Sequence, residues 1–199
     1  MLDILDIYPN KKYQEYINKT INHVNKVQDR LPDGTLVRSW PYPNTLWADD
    51  LYMGLSFLTR ISHYRGDDSH FMNDAVNQVL NFNKYLWNPS KELYYHAYYD
   101  DLKRVGGAHW GRCNGWIMLA TTMLLDVMPD KHDKRQNIID LLTRQMLGIA
   151  HYQDPSGLWH QLLDKPDSYT ESSCSAIFIY CIARGINKGW LDKRYASIA

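Results

Sequence analysis

Residues 88–97 read NPSKELYYHA, residues 154–163 read DPSGLWHQLL, and residues 31–40 read LPDGTLVRSW. Each stretch follows a polar-faced segment and precedes an apolar one. Their prolines, Pro32, Pro89 and Pro155, stand 57 and 66 residues apart. A unit of about 60 residues holding one helix of each kind is a helical-hairpin repeat, which must stack on copies of itself to bury its inner face. The segments on either side fit this reading. Tyr13, Ile17, Ile21, Val24 and Val27 recur at helical spacing within 11–29, as do Phe71, Ala75, Val79, Phe82 and Leu86 within 69–86. A third polar-faced helix is expected over 134–152. The alternating helices, 47–64, 116–128 and 172–186, are more apolar, and the last two are apolar nearly all round, as in helices buried on most sides. Asn44 or Thr45 is the expected cap of the first. The glycine-rich VGGAHWGRCNG reads as an approach to the second, and 153–168 as loop or short strand. The expected fold is all-α, one domain over 1–199, with hairpins arranged as a double-layered toroid. A short open solenoid is the alternative.

Composition narrows the function classes. Lys and Arg number 22 and Asp and Glu 22, so the net charge is zero. A nucleic-acid-binding domain would carry a basic excess, and no nucleic-acid partner is expected. An anionic ligand must be held by a few local cations. Aromatic residues are skewed to 7 Trp and 15 Tyr against 4 Phe. Flat apolar faces with a polar handle suit sugar rings, and ordinary helix packing equally. Cys113, Cys174 and Cys181 do not read as a disulfide scaffold. The last two lie seven apart in one expected helix, roughly 10 Å along its axis, too far for a bridge. MLDILDIYPN lacks a basic start followed by an apolar run, and no stretch approaches the length of a membrane span. Neither a membrane partner nor a signal peptide is expected, and the cytoplasm is the default compartment. The histidines are scattered, so no metal and no cofactor is expected.

In a toroid the N-termini of the inner helices converge at one end. The residues there are Trp47-Ala48-Asp49-Asp50, His109-Trp110-Gly111-Arg112 and Tyr169-Thr170-Glu171-Ser172-Ser173. Free N–H groups and positive dipole ends favour an anion. Carboxylates, an Arg, a His and several Trp are equipment for binding an acidic sugar and protonating it. Plain structural readings stand beside this one. Asp49 and Asp50 are also ordinary dipole partners in a first helical turn, Arg112 an ion-pair arginine, and His96, on a possible strand in LYYHAYY, a buried hydrogen-bonding group. Asp126, Asp140 and Lys134 read as solvated faces and helix ends.

Taken in order, LWADDLYMGLSFLTR, LYYHAYYD, HWGRCNGW, and QDPSGLWHQLLDKP with YTESSCSAIFIYCIARGINKGWLD resemble glycoside hydrolase family 105, the unsaturated rhamnogalacturonyl hydrolases, close to the unsaturated glucuronyl hydrolases of family 88. The resemblance implies an (α/α)6 barrel. It also implies removal of an unsaturated uronic acid from the non-reducing end of pectin-derived acidic oligosaccharides. An aspartate protonates C4 of the C4=C5 double bond, water adds at C5, and the resulting hemiketal opens to release the remaining sugar. The family's W-x-D-x-L-Y/F-M pattern falls on Trp47 and Asp49; the register of Trp47 and Met53 favours Asp49 as the acid over its rival Asp50, which is expected with Trp47 among the substrate-binding residues. The ligand-facing histidine matches His96. The W-x-R-x-x-x-W pattern places Trp110, Arg112 and Trp116 around the sugar, with Arg112 on its carboxylate. Cys113 stands where the family often has Gly or Ala. Six repeats of about 60 residues need about 360, so 199 residues supply about half to two-thirds of a barrel. The family's second site aspartate aligns upstream of Met1, and Asp3 and Asp6 are poor substitutes. The alternative function is a truncated, catalytically impaired carbohydrate-binding scaffold; a sugar epimerase shares only the architecture. Exposed barrel edges would carry apolar patches and favour self-association.

Overall fold

A computed structural model describes residues 2–5, 7–66 and 69–199. Asp6 lies outside the described residues, as does the side chain of Asp3. Three outer helices, α2 (Lys11–Lys26), α4 (Ser69–Leu86) and α6 (Arg135–His151), alternate with three inner ones, α3 (Ala48–Tyr64), α5 (Gly111–Val127) and α7 (Ser172–Asn187). A short α1 (Leu2–Leu5) packs on α2 and α3, and a 3-10 turn (Lys193–Ile198) packs on α7. Neighbouring inner helices touch, α3 on α5 and α5 on α7. The result is an arc of three helical hairpins, with short strands only in the loops.

The helix boundaries show what local sequence does not carry. Asn10 caps α2 by accepting from the Lys12 N–H at 2.9 Å. The helix stops at Lys26 because the next residues turn to meet the return loop: the Val37 N–H donates to the Asp29 carbonyl, and Arg30 bridges to Leu36. The N-cap of α3 is Trp47 rather than Asn44 or Thr45. Residues 45–47 form β1 (Thr45–Trp47), which pairs antiparallel with Ala97–Tyr99, so the chain stays extended through Trp47 and the helix starts at Ala48 without a side-chain cap. Helix α5 begins at Gly111, five residues earlier than expected. Its glycines serve close packing, not a turn: a Cβ on Gly111 would meet Cys174 Sγ and the His160 carbonyl oxygen, each at 2.9 Å.

The core lies between the two layers. Leu51, Leu55, Leu58 and Ile61 of α3, Phe82 and Leu86 of α4, Ile117, Met118 and Leu124 of α5, and Phe178 of α7 are all buried. Trp159, fully buried before α7, donates its indole N–H to the Ile149 carbonyl at 2.8 Å. On α5 Arg112, Trp116, Leu119 and Met123 form a half-buried stripe along a mostly buried helix. Asp126 is not the solvated carboxylate expected: it accepts from Arg184 at 2.7 Å and ties α5 to α7. The open ends of the arc expose Trp40 and Met53 on one side and Ala176 and Tyr180 on the other. Among the described residues no helix is long and apolar enough to cross a membrane.

Candidate active site

Two tight loops bring the site together at the N-terminal ends of the inner helices. Strand β1 delivers Trp47, Asp49 and Asp50. Its partner β2 (Ala97–Tyr99) follows His96, whose carbonyl accepts from the Ala48 N–H at 2.9 Å and whose N–H donates to the Ala108 carbonyl at 3.0 Å. His96 is thereby pinned between the starts of α3 and α5. Its ring lies between two indoles, 5.4 Å from Trp47 and 5.2 Å from Trp110 by ring centres. Its Nε2 lies 3.2 Å from Asp49 Oδ2.

An arginine stacks on each indole. Arg38 lies 3.7 Å from the Trp47 ring centre and Arg112 lies 4.1 Å from that of Trp110. Arg38 holds Asp50 in a two-pronged pair at 2.6 and 2.7 Å. Arg112 donates to Glu171 Oε1, which also accepts from the Ser173 hydroxyl at 2.6 Å. Arg112 is thus already paired. Trp116 stands one turn deeper on α5, 4.7 Å from the Tyr52 ring centre.

The electrostatic signature is a set of orphans. Among the described residues, Trp47 Nε1, Asp49 Oδ2, His96 Nε2, Trp110 Nε1 and Glu171 Oε2 are the buried side-chain polar atoms that lack an aligned hydrogen-bond partner. Asp49 Oδ2 and His96 Nε2 face each other at 3.2 Å, whereas the two indole N–H groups and Glu171 Oε2 have no partner, which folded proteins rarely allow. All five belong to this one cluster. Behind it, His109 is buried between Asp164, 3.1 Å from Nδ1, and the Asn88 amide, 3.0 Å from Nε2. That arrangement suits the neutral ring, and burial, outweighing the nearby Asp164, holds the His109 pKa down. A cysteine nucleophile is disfavoured. Burial, and then the charge of Asp49, push the Cys113 thiol well up, and burial lifts Cys174 and Cys181 to about 12.

Of the sequence-derived candidates, Trp47, Asp49, His96, Trp110 and Arg112 come together, Trp116 lies just below them, and Asp50 faces away into its pair with Arg38. Glu171 was visible only as part of YTESS, and Arg38 carried no local signal because its partner comes from another element. A groove of about 440 Å³ between α2 and α3, lined among others by Val24, Arg38, Trp40, Asp50 and Phe57, reaches Asp50 but not Asp49. No group of three or more His, Cys, Asp or Glu among the described residues is placed to hold a metal ion.

The fold matches solved structures of family 105. A glycoside hydrolase from family 105 of C. acetobutylicum superposes with a TM-score of 0.91 at 22% identity, covering 99% of this chain and 57% of that one. A possible family 105 member from Salmonella enterica gives 0.91 at 25%, covering 99% and 53%. In sequence, the unsaturated rhamnogalacturonyl hydrolase YesR of Bacillus subtilis is 36% identical over 136 residues, 68% of this chain and 39% of that protein. An unsaturated 3S-rhamnoglycuronyl hydrolase of Formosa agariphila is 25% identical over 199 residues, 95% and 51%. The chain therefore spans about two-fifths to half the length of these two curated relatives. The arc of hairpins is correspondingly about half of the barrels it superposes on. The profile of Glycosyl Hydrolase Family 88 matches residues 1–199 without a gap at either end, and the chain belongs to that family.

Proposed function

We propose that this chain carries the proton-delivering side of a site that removes an unsaturated uronic acid from the non-reducing end of a pectin-derived acidic oligosaccharide. The observation that carries the reading is the polarity of these five atoms, three of them unpartnered and the other two, Asp49 Oδ2 and His96 Nε2, sharing one 3.2 Å contact. Two are indole N–H groups, which only donate; two are carboxylate oxygens, which accept when ionised; the imidazole does either. Their common complement is a flat ring bearing both acceptor oxygens and hydroxyl donors, between indole faces that suit stacking. A uronic sugar has this pattern. The names of the B. subtilis and F. agariphila relatives point to the same substrate class.

In this reading Asp49 is the acid that protonates C4 of the alkene. His96, 3.2 Å from its carboxylate, orients it and faces the water that adds at C5. Asp50 has no part in the chemistry, since both of its oxygens are held by Arg38. The test follows the ultraviolet absorbance of the conjugated alkene in lyase-generated pectin oligosaccharides. Asp49→Asn should lower the rate of bleaching at least about 100-fold, the usual worth of a positioned acid, while binding persists. Asp50→Asn should stay within a few-fold of the parent. The reverse outcome would assign the acid to Asp50. Binding without bleaching by the parent chain would favour the carbohydrate-binding scaffold instead.

A further inference from the structure

We infer that Glu171 selects the substrate, its buried Oε2 accepting a ring hydroxyl of the bound sugar while Oε1 holds Arg112 flat on Trp110. This deepens the reading above and rests on it. Glu171 is the residue from which α7 springs: its N–H donates to the Trp159 carbonyl at 2.8 Å, and its own carbonyl accepts from the Ser175 N–H and hydroxyl. The backbone is fixed on both sides, so the carboxylate has little freedom to turn away. Its residue is only 8% exposed. Arg112 and Ser173 both donate to the same oxygen, Oε1, which leaves Oε2 buried with no donor.

A carboxylate oxygen in that position is costly to bury unless something donates to it. Among the described residues no protein group does so. Asp50 is the control within the same molecule, an aspartate whose two oxygens are both filled by one arginine. The Arg112–Glu171 pair also tells against a free guanidinium awaiting a substrate carboxylate. Its charge is already matched, so the pair discriminates by hydrogen-bond polarity rather than by net charge. A sugar that keeps its hydroxyl supplies the missing donor, and a deoxy sugar leaves the oxygen bare.

The experiment is a cycle between the residue and the hydroxyl. Binding of a 4-deoxy-hex-4-enuronyl disaccharide, and of its 2-deoxy and 3-deoxy forms, would be measured by calorimetry on the parent chain and on Glu171→Gln. Because Arg112 and Ser173 donate to the first oxygen, the glutamine must turn its carbonyl toward them and its NH2 toward the sugar. The charged acceptor at the Oε2 position is then replaced by a neutral N–H donor, whose bond to a hydroxyl oxygen is worth only about a few-fold. The parent should prefer the full sugar over one of the deoxy forms by about 10- to 100-fold, the usual worth of a hydrogen bond to a charged group. Glu171→Gln should level that preference to within a few-fold. Equal loss on all three sugars would mean that Glu171 only supports the fold, and an unchanged preference would show that another group reads the hydroxyl; either overturns the inference while leaving the uronide reading intact. A parent chain that binds none of the three overturns that reading, and this inference with it. If Glu171→Gln unfolds, Glu171→Asp, which keeps the charge but draws the oxygens back, should show the same levelling.

Discussion

Two arginine–tryptophan–carboxylate stacks flank His96, and they differ in one respect. In the first, Arg38 lies on Trp47 and closes both oxygens of Asp50. In the second, Arg112 lies on Trp110 and engages one oxygen of Glu171, leaving the other buried and bare. The parts are the same, but one stack is finished and the other awaits a donor. A closed pair braces the loop that carries Asp49, whereas an open one costs desolvation that only a ligand can offset. The chemistry of the cluster is thus read from what each polar atom lacks rather than from which residue types are present.

The largest effect on stability is expected where α6 meets the loop that leads to His96. Gly148 of α6 packs against the backbone of Glu92, in the loop that leads to His96, and a Cβ there would overlap the Glu92 carbonyl. Gly148→Ala should cost about 3 kcal/mol or more, at the upper end of overpacking effects. Denaturant unfolding would show this as a large drop in midpoint. A loss under about 1 kcal/mol would mean that the loop can slide, and that neither stack is rigidly held.

Removing each arginine in turn sharpens the contrast. Arg112→Ala strands a carboxylate whose side chain is only 9% exposed, and should cost about 2–4 kcal/mol of stability, near the range for breaking a buried pair. Arg38→Ala leaves Asp50 with 25% of its side chain exposed and free to hydrate, and should cost about 1 kcal/mol. Equal losses in parallel melts would erase the distinction between a buried and a solvated pair.

The smallest effect concerns pH. His109 immediately precedes Trp110, and burial lowers its folded-state pKa below the ordinary 6.5. The unfolded chain therefore takes up this proton first. His109 should make stability fall as pH drops below about 6.5, with the fall ending once the folded-state ring is itself protonated. His109→Gln should flatten that part of the stability–pH curve. A curve unchanged by the substitution would place the titration elsewhere.

The hairpin repeat and the alternation of outer and inner helices were legible because burial imposes a helical period wherever one face meets the core, as with Phe71, Ala75, Val79 and Phe82. The stretches at the inner-helix starts were legible too, since Trp47, Asp49, His96, Trp110 and Arg112 each sit in a short segment whose residue types stand out. What the sequence could not decide was pairing. Gly111 looks like a turn glycine until α7 is seen within 2.9 Å of its missing Cβ. Asn44 and Thr45 look like caps until β1 joins a strand 52 residues later, pairing Thr45 with Tyr99 and Trp47 with Ala97. Asp49 and Asp50 are adjacent, yet one faces His96 and the other is closed by Arg38. Hydrophobic periodicity is a local consequence of burial and survives in one dimension. Hydrogen-bond satisfaction depends on which distant group arrives at an atom, and that is decided only when the chain has folded.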